Sequence, residues 1–367
     1  MELADQDAFC LNVMLAAGVQ AVRIDRSSMT VFGLTEKGDA SVRLHPTCRE
    51  EQYVKIVKQL LAEHALDSPD GYPVHLRRWT RMGQLRDDNL ARLLLTGEEE
   101  AIVAVVHAPG LTEEIARRAW WAMPTLENAR RMLEREQVAR SAMGKVLADF
   151  LIEHLPFEEN PVAIMETVRW LLHYDLVEPA AALTLWNRGR EHGAYYIGFL
   201  EQRADALPKQ LPARADFQHY DDRLSGLIAA DNPFAIALAR LLSGPGQSFL
   251  SGCEEFMQRP GTHEIVIRFL QTLSDYFSRL SARIGKAETL EDWSADPANP
   301  DEELGRLKQT LPELAAEIDA MIRLARVDIE LAAPILRRTT AVNAHLRTKL
   351  QPLFDPLKAQ IRTLRGA

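Results

Sequence analysis

The densest chemical feature of the sequence is the stretch His75-Leu76-Arg77-Arg78-Trp79-Thr80-Arg81-Met82-Gly83-Gln84-Leu85-Arg86. Arg77, Arg78, Arg81 and Arg86 surround Trp79 in a chain whose net charge is −9. Guanidinium groups beside an aromatic ring can grip an anionic or carboxylate-rich surface through forked hydrogen bonds and stacking. The same arginines can equally bridge an α/β module to a helical array. Both readings stand at this point. A second dense segment is Arg117-Arg118-Ala119-Trp120-Trp121-Ala122-Met123. Consecutive residues on a helix point about 100° apart, so its tryptophans should serve different neighbours, as packing first and as an interface second.

The remaining reactive side chains are the thiols of Cys10, Cys48 and Cys253. They lie far apart, which is no disulfide framework. Cys10 sits between Phe9 and Leu11 and reads as core. Cys48 follows Pro46-Thr47 in a loop and should be the most exposed of the three. Cys253 stands near a helix start at Gly252, where the dipole would lower its pKa, but Glu254 and Glu255 oppose that shift. Cys48 and Cys253 are the candidate reactive thiols, and either could carry sulfur as a persulfide.

Other chemistries lack their signatures. No two of the ten histidines are four residues apart, and neither His-Glu-x-x-His nor Cys-x-x-Cys occurs. Ser243-Gly244-Pro245-Gly246 follows a helix and lacks the lysine of a phosphate loop. Gly-x-Gly-x-x-Gly and Gly-x-Ser-x-Gly are absent. No catalytic, cofactor-binding or metal residue is therefore assigned, and no cofactor is expected.

Composition bounds the class. Apolar residues make up 47% and charged residues 26% of 367 residues, which is ordinary for a soluble globular protein of two or three domains. A chain with 52 acidic and 43 basic residues is not built as a general nucleic-acid binder. No apolar run is long enough for membrane insertion. The acidic start Met1-Glu2-Leu3-Ala4-Asp5 lacks the features of a secretory signal, so a cytoplasmic location is expected.

The elements that must position these residues fall into an expected domain order of 1–85, 86–207 and 213–367. In 1–85, Asp7 to Ala17 is apolar at helical spacing, with Gly18 as a stop. Ala21 to Asp25, Met29 to Leu34 and Ala40 to Leu44 read as a three-stranded antiparallel meander. Val22, Ile24, Val31, Val42 and Leu44 should share a face, covered by Tyr53, Ile56, Val57, Leu60 and Leu61 of a helix. Tyr72 to Trp79 reads as a short extended stretch.

From Asp87 onward the pattern is helical. Thr96-Gly97-Glu98-Glu99 suggests a capping box, and Asn160-Pro161 and Pro179 suggest helix starts. Short helices on short connections fit either HEAT-like stacking or a compact bundle. Leu207-Pro208-Lys209-Gln210-Leu211-Pro212 reads as a linker, and 285–300 as a polar loop. Asn299-Pro300-Asp301-Glu302 should open long helices over roughly 301–326 and 327–350, with a shorter one closing the chain. Residues 288–330 carry 12 acids and 4 bases, while 331–367 carry 7 bases and 1 acid. The simplest expectation is that these segments pack antiparallel and neutralise one another. The fold class is thus mainly α, a helical array with a small N-terminal α+β module.

Several stretches together resemble the sulfur reduction protein DsrS family. They are Tyr72-Pro73-Val74-His75-Leu76-Arg77-Arg78-Trp79-Thr80-Arg81-Met82-Gly83-Gln84, Leu94 through Thr112, Ala116 through Pro124, and Phe150-Leu151-Ile152-Glu153-His154-Leu155-Pro156-Phe157. Their order and spacing match to about residue 200, and no matching motif stands beyond 210. The resemblance implies a soluble cytoplasmic protein associated with dissimilatory sulfite reductase, which runs in reverse in sulfur oxidisers. The family has no established catalytic residues to carry over. The resemblance therefore implies a non-enzymatic accessory or regulatory protein of sulfur oxidation. It would bind protein components of that system, with Arg77, Arg78, Trp79, Arg81 and Arg86 as candidate interaction surface. The alternative is a sulfur-handling enzyme or carrier using Cys48 or Cys253.

Overall fold

The structure, a computed structural model, describes residues 3–66, 87–295 and 301–366. It is 68% helical, with a three-stranded antiparallel sheet near the N-terminus and no identified repeat. That is the mainly α fold with a small α+β module expected from the sequence. Two compact units are present, Met1–Pro156 and Phe157–Ala367. No helix among the described residues is long and apolar enough to cross a membrane.

The first unit opens with α1 (Asp5–Ala16), β1 (Ala21–Asp25), β2 (Thr30–Thr35), β3 (Gly38–Arg43) and α2 (Glu50–Leu66). Ile24 pairs with Val31 and Val31 with Val42, so the alternation read from the sequence places the apolar set on one face. Leu11, Met14 and Leu15 of α1 pack there with Tyr53, Val54, Val57 and Leu61 of α2.

Six helices follow: α3 (Asp87–Leu93), α4 (Glu99–His107), α5 (Glu113–Ala122), α6 (Leu126–Leu133), α7 (Glu136–Ala139) and α8 (Ala142–His154). Helix α5 reaches the other face of the sheet. The Arg23 guanidinium lies 4.9 Å from the Phe32 ring centre and 4.9 Å from that of Trp121. The Trp121 indole donates to Asp39 at 3.1 Å, while Trp120 meets Phe150 edge-on. The two tryptophans diverge as helical geometry requires. The expected capping box does not form. Thr96 is buried and its hydroxyl donates back to Leu93 O, closing α3, while Glu98 pairs with Lys58. Gly97 sits at φ +67° against Ile24, a conformation that separates the threonine from the helix it would have capped.

The second unit contains α9 (Pro161–His173), α10 (Pro179–Arg188), α11 (Ala194–Gln202), α12 (Phe217–Ala229), α13 (Pro233–Leu242), α14 (Gly244–Phe256), α15 (His263–Tyr276), α16 (Ser278–Ile284), α17 (Leu290–Ser294), α18 (Glu302–Thr310), α19 (Ala315–Ala325), α20 (Ala333–Leu336) and α21 (Asn343–Arg365). Asn160 caps α9 and proline opens both α9 and α10, as expected. Ala194 to Leu200 of α11 are all buried, so this helix is the centre of the unit.

Three expectations change here. The 207–212 segment is packed rather than free: Leu207 is buried and the Leu211 amide donates to Ser248 Oγ at 2.8 Å. The polar 285–295 segment is pinned. Trp293 is 2% exposed and its indole donates to Arg323 O at 2.7 Å. Buried Arg326 donates to the carbonyls of Asp292 and Ala295 and to Asp292 Oδ1. The long helices are also redistributed. A 3₁₀ turn at Pro312–Leu314 breaks the first, and the last helix runs 23 residues through Pro352 and Pro356.

The two oppositely charged segments do pack, α19 against α21, but among the described residues no ion pair joins them. Among the described residues, the acidic segment is met by Arg214, Arg223, Arg283 and Lys286, which precede it in sequence. Arg362 and Arg365 of the basic segment both reach Glu254 instead.

Arg326→Ala should leave helix content intact while exposing 285–295 to limited proteolysis. Unfolding free energy should fall by about 1–3 kcal/mol, the scale for stranding charged hydrogen-bond partners. A cleavage pattern and melting curve matching the wild type would show that this clamp carries no stability.

Candidate functional site

Of the candidate interaction residues, Arg77, Arg78, Trp79, Arg81 and Arg86 lie outside the described residues. The two candidate thiols are in contrasting places. Cys253 is buried within α14, and burial drives its thiol far above the ordinary range, which keeps it protonated and unreactive. Cys48 is half-buried in the loop between β3 and α2, where it packs against the N-terminal core.

The loop holding Cys48 is tied down by an acid. Asp7 projects from the first turns of α1, on the same buried face as Leu11, Met14 and Leu15. Its side chain is 1% exposed. An isolated carboxylate at such a position would be costly, so donors must converge on it. The Tyr53 hydroxyl donates to Oδ2 at 2.6 Å and the His45 amide to the same atom at 2.7 Å. The His45 ring lies 2.9 Å from Oδ1 through Nδ1. Burial pushes the Asp7 carboxyl up, but the His45 amide, the Tyr53 hydroxyl and the His45 ring outweigh it and hold the pKa below the ordinary carboxylate value. Tyr53 moves the opposite way, raised by burial and then by its bond to Asp7, and it also senses the nearby Cys48.

This geometry decides a tautomer. An ionised carboxylate only accepts, so His45 Nδ1 must carry the hydrogen. The neutral ring then presents Nε2 as its acceptor. The imidazole is 61% exposed. A buried aspartate thus orients an imidazole three residues before a cysteine in the same loop, while the Cys48 thiol itself lies 3.7 Å from Arg49 O. Sequence reasoning missed Asp7, His45 and Tyr53 as a site. The one available signal was an acid within the apolar stripe of α1. Its partners stand 38 and 46 residues away, beyond any local pattern.

Among the described residues, no three histidine, cysteine, aspartate or glutamate side chains gather so as to hold a metal ion. Comparison of the chain with family models, curated proteins and solved structures finds no match.

Asp7→Ala should strand the Tyr53 hydroxyl and the His45 amide, at about 1–3 kcal/mol for each buried group left unpaired. The pH dependence has a defined sign. Because the folded pKa is depressed, Asp7 contributes its stability above the ordinary carboxylate pKa and loses it as pH falls through the lower folded value. The difference in unfolding free energy between wild type and Asp7→Ala should therefore narrow on acidification below about pH 4. Chemical denaturation across pH measures it, and a constant gap would contradict the ionised buried carboxylate.

Proposed function

We propose that this chain is a cytoplasmic accessory protein of dissimilatory sulfur oxidation, acting through contacts with protein components of that system. The resemblance of residues 72–84, 94–124 and 150–157 to the DsrS family supports this reading. The observation that carries it is the role of the described family-like residues. Leu94 O accepts from Val22, Thr96 closes α3, Trp121 covers Arg23, and Trp120 meets Phe150. These are framing contacts, and a frame suits a protein that presents a surface. Arg77, Arg78, Trp79 and Arg81 belong to the same family-like stretch, and arginine and tryptophan are favoured anchors of interfaces.

A second reading, a sulfur carrier, is favoured by Cys48, the candidate thiol left half-buried in a loop while Cys253 is sealed within α14. The Cys48 thiolate would attack the outer sulfur of a persulfide or polysulfide donor. The donor's S–S bond breaks as a new one forms on Cys48, and the donor thiolate leaves with the electron pair. The Cys48 proton passes through solvent to that thiolate, so no oxidant is consumed.

Affinity capture with the full chain from sulfur-oxidising cells, with partners quantified, tests the first reading. Components of the sulfur-oxidation system should be enriched, and Arg78→Ala with Arg81→Ala should weaken capture by about 1–3 kcal/mol while the fold survives. Absence of any such component overturns the proposal. Mass spectrometry after exposure to polysulfide tests the second. A gain of about 32 Da on Cys48 that vanishes in Cys48→Ser supports it, and an unmodified Cys48 sinks it.

A further inference from the structure

A cavity of about 370 Å³ opens in the second unit where the starts of α9, α11 and α21 meet the connection between α14 and α15. Its lining includes His192, Arg259, Arg347 and Glu191, with backbone from Gly193, Gly261 and Asn343. The volume falls in the usual range for small-molecule sites. Its charge is biased. Arg259 and Arg347 share the lining with a single acid, Glu191, and among the described residues neither arginine forms an ion pair. The Arg347 guanidinium has only a long contact, 3.4 Å to Gln258 O.

The backbone adds to that bias. Helices α6, α8, α9, α13 and α18 each have a side-chain oxygen capping their first amides. Helices α11 and α21, whose first residues line the cavity, have none, a condition they share with α10, α12, α14, α15 and α19. Their dipoles add positive potential beside the arginines; the Tyr195, Tyr196 and Asn343 amides already donate to His192 O, Gly193 O and Gly261 O, which leaves those of Ala194 and Ala344 as donors lining the cavity. The wall is rigidly built. A Cβ on Gly193 would fall 2.2 Å from Arg259 O, so only glycine permits this approach. The Asn343 amide donates to Gly261 O at 2.7 Å, joining the start of α21 to that connection.

From these observations we infer that the cavity bounded by Arg259, Arg347, His192 and the starts of α11 and α21 binds a tetrahedral oxyanion, free or as the phosphate group of a small metabolite. Paired guanidinium forks match the oxygen geometry of such a group, and the Ala194 and Ala344 amides add donors to its shell. The inference does not depend on the proposed function, because it rests on different residues in the other unit.

Calorimetric titration of the full chain at fixed ionic strength tests it, with inorganic phosphate, sulfate and adenosine 5′-monophosphate as probes and chloride as control. At least one oxyanion should bind saturably with a dissociation constant below about 1 mM, and chloride should not. Arg259→Ala and Arg347→Ala should each weaken that binding about tenfold or more, with circular dichroism verifying the fold. Arg347→Lys should fall between, since it keeps charge but loses the fork. Arg279→Ala, outside the cavity, should change nothing. Tighter binding of the nucleotide than of phosphate identifies a phosphorylated metabolite, and equal binding identifies the free ion. No saturation up to about 10 mM, or binding indifferent to both alanine variants, overturns the inference.

Discussion

Pro352 and Pro356 stand inside the 23-residue helix that closes the chain, and the helix continues through both. Each proline removes an amide donor and crowds a carbonyl one turn back, at about 3 kcal/mol. Leu346, Leu350, Leu353, Phe354, Leu357, Ile361 and Leu364 are all fully buried along one stripe. Side chains of this size contribute about 1.5–3 kcal/mol each when buried, so the stripe outweighs the prolines. The same constraint governs the other helices of both units. Most are short, and isolated helices of such length do not hold in water. Each persists because its apolar face is covered, and α11 is the limiting case, buried from Ala194 to Leu200.

Apolar burial alone is permissive about which surface meets which. Buried polar groups narrow the choice, because an unsatisfied partner is expensive. Asp7 joins α1 to Tyr53 of α2 and to His45 of the loop before it. Asn232 caps α13 and also donates to Glu303 O at the start of α18. Arg214 links Asp216 to Glu317. Arg326 gathers the carbonyls of 292 and 295. Each tie fixes one element against another and would be lost by a shift of one helix turn.

These ties also separate chemistry from structure among similar residues. Cys253 and Cys48 carry the same thiol, but α14 seals the first while the Asp7 clamp holds the second in a surface loop with an oriented imidazole. Likewise Arg326 is consumed by carbonyls of its own unit, whereas Arg259 and Arg347 are left toward a cavity. Residue type names the available reaction, and environment decides whether it is available.

The sequence by itself determined the elements whose signals are local. The strand alternation of Val22 with Ile24 and of Val31 with its neighbours follows from a period of two, and the helix starts at Asn160-Pro161 and Pro179 follow from one capping side chain or a preset proline angle. Its apolar periodicity also made the helical fold legible. Tertiary structure decided whatever depends on contact across sequence. Thr96 looked like a cap until Gly97, pressed on Ile24 at positive φ, turned it toward Leu93. The polar segment 285–295 looked like a loose loop until Trp293 found Arg323 and Arg326 found Asp292. The histidine three residues before Cys48 had no visible role until Asp7, 38 residues earlier than that histidine, was brought beneath it. A local pattern states what a residue prefers; only the fold states which distant group meets it, because that partner is set by the packing of every element between them.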